Sequence, residues 1–156
     1  MLGKTLRKQL EWATDKAKGV FESDGYHSHM LLGFKDDNII VTQLHFKDDI
    51  EKRAELSYIK TIFKREEVQS YIFIAEAWSA ECKKGEIPKA GDAVNNPNRK
   101  EILSLLAVSP KETMTCTMEI FRDGDKVWLG EPVYEDSGEY RGLLTELLDE
   151  EPKEYS

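Results

Sequence analysis

Between Tyr71 and Trp78 the chain reads Tyr-Ile-Phe-Ile-Ala-Glu-Ala-Trp, a run that is apolar on both parities. Side chains alternate along a strand, so Tyr71, Phe73, Ala75 and Ala77 face one way and Ile72, Ile74, Glu76 and Trp78 the other. A strand with two apolar faces must be covered twice, which makes this run the central strand of a sheet. Glu101 to Val108 repeats the pattern, with Leu103, Leu105 and Ala107 against Ile102, Leu106 and Val108, and is a second inner strand. Thr113 to Phe121 instead alternates cleanly: Met114, Cys116, Met118 and Ile120 oppose Thr113, Thr115, Thr117 and Glu119. One face of that strand belongs to a core and the other to water.

The remaining segments fall into place around these strands. Leu2 to Lys18 carries Leu2, Leu6, Leu10, Ala13 and Ala17 at helical steps, with Gly19 placed to end the helix and residues 20–25 as a connector. His29 to Phe34 and Ile39 to Leu44 read as a hairpin turning through residues 35–38. Asp48, with Glu51 three residues on, caps a helix from Asp49 to Gln69 whose stripe is Leu56, Ile59, Ile62 and Phe63, with Val68 as a further candidate. Strand, helix, strand over residues 39–78 suggests a right-handed parallel crossover. Asp123-Gly124 turns the chain into a strand at Lys126 to Leu129, residues 130–138 read as loop, and Leu143, Leu144, Leu147 and Leu148 mark a C-terminal helix within 139–150. The expected architecture is α+β: one domain over residues 1–150, a mostly antiparallel sheet of about six strands, a helix crossover and helices from both termini. Residues 151–156 read as a disordered acidic tail.

Charge narrows the partners. The net charge is −8, but residues 131–156 hold nine acidic and two basic residues, so the body is close to neutral. An acidic surface repels phosphate, which argues against nucleic-acid and anionic-membrane partners. No run approaches the roughly 18 apolar residues of a membrane span, and the N-terminal residues lack the apolar core of a secretory signal. Cys82 and Cys116 have no ligand or redox spacing, so the expected setting is cytoplasmic with two free thiols.

Three groups of residues could bear chemistry. Glu76, between Ile74 and Trp78, needs a partner if it is buried, and Arg99 just before the next inner strand is the best one available. That pair reads first as structural and second as a functional carboxylate, with Glu76, Trp78 and Arg99 forming a binding site. His27, His29 and His45 fall at neighbouring strand ends and would be the ligands if zinc were bound. The bland reading is solvated edge histidines and no cofactor. His-x-His resembles part of the signature of JAMM-type metalloproteases, but the Ser and Asp due downstream fall on Asp37 and Ile40, and the zinc-deaminase Pro-Cys-x-x-Cys is missing. Cys82, beside Lys83 and Lys84, reads as an ordinary loop thiol, and no nucleophile elbow, Walker loop or dinucleotide fingerprint occurs.

Glu76-Ala77-Trp78, followed by Asn96-Pro97-Asn98-Arg99-Lys100-Glu101 and an apolar strand, resembles an uncharacterised group of bacterial proteins with a Glu-Ala-Trp strand end and a Pro-x-Arg-x-Glu loop. The resemblance spans about residues 70–108 and implies a bacterial or phage origin without implying a chemistry. The functional expectation is a non-catalytic cytoplasmic binding domain, acting on itself as a homodimer or on another protein. Short Lys126–Leu129 and the C-terminal leucines are the expected dimer surfaces. The alternative is a metal-dependent hydrolase using His27, His29, His45 and Glu76.

Overall fold

A computed structural model of the chain describes residues 5–45, 47–79, 100–136 and 147–148. Thr5 opens the first element: its side-chain oxygen accepts from the Lys8 amide at 3.2 Å and caps α1 (Leu6–Asp24). Such a cap contributes about 1 kcal/mol. Leu6, Leu10, Ala13, Ala17 and Phe21 recur at helical steps and are all buried. The helix runs straight through Gly19, where a stop was expected. A glycine inside a helix costs about 0.5–1 kcal/mol. Burying the Phe21 side chain, which the extra turn brings to the core, returns roughly 1.5–3 kcal/mol. The stop is Gly25, at φ 78°, whose amide donates to the Phe21 carbonyl at 2.7 Å.

β1 (Met30–Lys35) and β2 (Asn38–Gln43) form the expected hairpin. Asp48 then caps α2 (Asp49–Arg65), accepting from the Glu51 amide at 2.8 Å, while the Glu51 carboxylate accepts from the Lys47 amide at 2.7 Å. α2 stops at Arg65, short of the expected Gln69. Glu67 turns left-handed at φ 55° and the Val68 amide donates back to the Phe63 carbonyl at 2.9 Å, which seats Val68 in the core. β3 (Ser70–Ser79), β4 (Lys100–Val108), β5 (Thr113–Asp123), β6 (Lys126–Leu129) and β7 (Val133–Asp136) complete the elements among the described residues.

The strands make a seven-stranded sheet in the order β2-β1-β3-β4-β5-β6, with β7 also on β5. Every ladder is antiparallel. β2 and β3 run in the same direction with β1 between them, so the α2 connection is the expected parallel crossover and it steps over one strand. Burial explains the insertion: Leu31, Leu32 and Phe34 of β1 are buried on both faces, whereas Val41 of β2 is 61% exposed. β1 therefore takes the inner place and β2 the edge.

Residues 130–138 were expected to be loop, yet β7 lies there. Leu129 pairs with Ile120 and Val133 with Thr117, so Gly130, Glu131 and Pro132 stand opposite Met118 and Glu119. β6 and β7 are thus one strand path broken by a bulge. The extra residue shifts the parity, and Tyr134 joins Val127 and Leu129 on the face toward α1. There the Arg7 guanidinium lies 4.0 Å from the Tyr134 ring centre, next to Thr14 and Cys116.

The helices occupy opposite faces. Under α1 lie Leu32, Phe34, Ile72, Ile74, Leu103, Leu105, Ala107, Cys116, Met118 and Ile120. With α2 lie Leu31, Tyr71, Leu106 and Val108, joined by Leu147. The α2 helix approaches closely because β1 has Gly33, where a Cβ would stand 3.0 Å from the Phe63 ring. The result is a single α+β domain. The expected helix over 139–150 falls outside the described residues except for Leu147 and Leu148, as do the expected tail 151–156 and residues 80–99.

Candidate binding surface at the end of the sheet

Gln9, the fourth residue of α1, accepts from the Ser70 hydroxyl at 2.6 Å at the start of β3. The row of side chains under α1 continues along β3 as Ile72, Ile74 and then Glu76. In the same way Leu105 and Leu103 of β4 lead to Glu101, and Met118 and Ile120 of β5 lead to Arg122. Three apolar rows therefore end in charged residues on one face. Arg122 grips Glu101 as a fork: Nε donates to both carboxylate oxygens at 3.1 Å and Nη2 donates to Oε2 at 3.0 Å. This pairing holds the Arg122 guanidinium above its ordinary range, with the Glu76 carboxylate adding to it. Glu76 is half-buried, and its Oε1 is buried with no hydrogen-bond partner among the described residues.

The opposite face of the same sheet end carries different chemistry. Lys100 Nζ lies 3.6 Å from Glu119, and the register partners Phe121 and Trp128 stack with ring centres 5.6 Å apart and planes at 20°. Trp128 is 45% exposed. Gly130 allows the stack: a Cβ there would meet the Phe121 ring at 3.0 Å. The sheet end thus presents a guanidinium–carboxylate fork on one side and a flat aromatic step on the other.

Of the site residues expected from sequence, Glu76 lies at this end and the Trp78 backbone pairs with Glu101, while the Trp78 side chain and Arg99 are outside what is described. The cation beside Glu76 among the described residues is Arg122, which sequence reasoning missed together with Glu101 and Phe121. Extending the alternation one step past Ile120 and one step before Leu103 is the signal that finds the first two. His27 is buried, with Nδ1 2.7 Å from the Ser28 carbonyl; exposed His29 meets the Phe73 ring edge-on; the His45 amide donates to the Glu55 carboxylate at 3.3 Å. Among the described residues no group of three or more His, Cys, Asp or Glu side chains is placed to hold a metal ion.

Residues 3–142 match the family model described as bacteriophage lambda protein ea47. The chain belongs to that family. Its Glu-Ala-Trp strand end and Pro-x-Arg-x-Glu segment lie inside the matched stretch, and the phage association agrees with the origin implied by those residues. No curated protein and no solved structure shows significant similarity to it. Among the described residues of this ea47-family chain, no helix is long and apolar enough to cross a membrane.

Proposed function

We propose that this ea47-family protein acts by binding, without catalysis, and that its contact surface for a protein partner is the sheet end carrying Trp128. The observation that supports the reading is the Phe121–Trp128 stack. A large ring held flat on a neighbour and left 45% exposed has already lost its rotamer freedom, so it presents apolar area at little further entropic cost. Tryptophan and arginine are also the residue types that dominate protein interfaces, and Arg122 adjoins Phe121 in the chain. The setting we propose is the cytoplasm, where the buried Cys116 thiol stays reduced.

Site-specific photo-crosslinking in bacterial cells producing the chain tests this. A benzophenone amino acid at position 128 should give one discrete protein adduct, and the same group at exposed Glu22 should not. Equal labelling from both positions, or none from 128, overturns the reading.

A further inference from the structure

The two outer edges of the sheet are built differently, and the difference points to a second copy of this chain. An edge strand exposes unpaired backbone donors and acceptors, and proteins usually blunt it with charge, proline or a bulge. The β6–β7 side has all three: Lys126, Pro132 and the bulge at residues 130–132. β2 has none of them. Asn38–Gln43 reads Asn-Ile-Ile-Val-Thr-Gln, without a charge, a proline or a glycine, and among the described residues it pairs with β1 alone.

Backbone geometry says which groups are free. The Leu44 amide donates to the His29 carbonyl, continuing the β1–β2 register by one pair. Donors and acceptors switch sides at each residue of an antiparallel strand, so Asn38, Ile40 and Thr42 also turn toward β1. Ile39, Val41 and Gln43 turn outward. An antiparallel copy laid along this edge finds the same outward residues, and a two-fold axis normal to the sheet keeps each face on its own side. Centring that axis on Val41 satisfies every outward group: Val41 meets its counterpart, and Ile39 meets Gln43 in both directions. Ile40 then lies beside Thr42 on the α2 face. The same register sets Asp37 at the turn of one copy level with the partner's His45, an acid beside an imidazole at each end. Val41, on the axis, is 61% exposed in the single chain.

We infer that the protein is a two-fold dimer in which the β2 strands pair edge to edge into one continuous sheet. The inference is independent of the Trp128 surface, which it leaves at the two far ends of the joined sheet. The contact inferred is the unblunted β2 edge, in place of the Lys126–Leu129 edge and the C-terminal leucines expected from sequence.

Sedimentation equilibrium of the full chain at micromolar concentration should give twice the 17.9 kDa of one chain. Val41→Lys sets two like charges on the axis and should halve the mass with an unchanged circular dichroism spectrum. Val41→Pro deletes an outward amide and no bond to β1, so it should do the same. Val133→Lys, at the exposed far edge, should leave the dimer intact. A monomeric parent protein overturns the inference. So does a dimer that survives both Val41 variants, or one broken by Val133→Lys instead.

Discussion

Arg122 closes on Glu101 through Nε and Nη2 while standing near Glu76, so one guanidinium serves two carboxylates that the ends of β3 and β4 bring together. The fork is solvated, with the two side chains 44% and 28% exposed. Its direct worth is therefore about 1 kcal/mol or less. Arg122→Met should lower the unfolding free energy by about that amount in urea titrations. It also leaves two carboxylates without their cation, so Glu76→Gln should be less harmful, or even stabilising, in the Arg122→Met background. Equal effects of Glu76→Gln in both backgrounds would show that the two residues are not coupled.

Gly19 and Gly25 occupy the same helix with opposite requirements. Gly19 is exposed with open space around its Cβ position, so Gly19→Ala should stabilise the fold by roughly 0.5–1 kcal/mol. Gly25 sits at φ 78°, so Gly25→Ala should destabilise by about 1 kcal/mol. Paired thermal melts check the sign of each, and two changes in the same direction would contradict the helix end described above.

Glu67 holds a left-handed conformation at φ 55° without being glycine. Its only described charged contact is to exposed Lys35, at 3.2 Å. Glu67→Gly should therefore raise stability by up to about 1 kcal/mol, relieving the backbone and giving up a weak surface ion pair. A loss of stability in chemical denaturation would mean that the ion pair outweighs the strain.

The buried Cys116 thiol and the half-buried Tyr134 phenol next to α1 should make stability fall in alkali. Burial pushes Cys116 above its ordinary 9.0 and Tyr134 above its ordinary 10.0, so the folded state holds both protons longer than the unfolded chain does. Stability is therefore complete below about pH 9 and falls as pH rises toward the folded values, by at most about 1.4 kcal/mol per pH unit for each group. Urea midpoints at about pH 8 and pH 10 should separate for the parent protein, and Cys116→Ala should narrow the gap. An unchanged gap would assign the alkaline loss to other groups.

The features legible in the sequence are those governed by residues a few positions apart. Alternation along residues 71–78, 101–108 and 113–121 follows from strand geometry, and the parity of Met114, Cys116, Met118 and Ile120 came out as read. The Asp48 cap depends on Glu51 three residues away, within reach of local geometry. What the sequence left open was pairing between distant segments. A period of two says which face a residue takes, and says nothing about which strand lies next to it. The insertion of β1 between β2 and β3 was decided by which strand could be buried on both faces. Only closure of β6 and β7 on β5 decided the bulge that turns Tyr134 inward. Arg122 met Glu101 because two strand ends, chosen by that pairing, left their charged residues side by side.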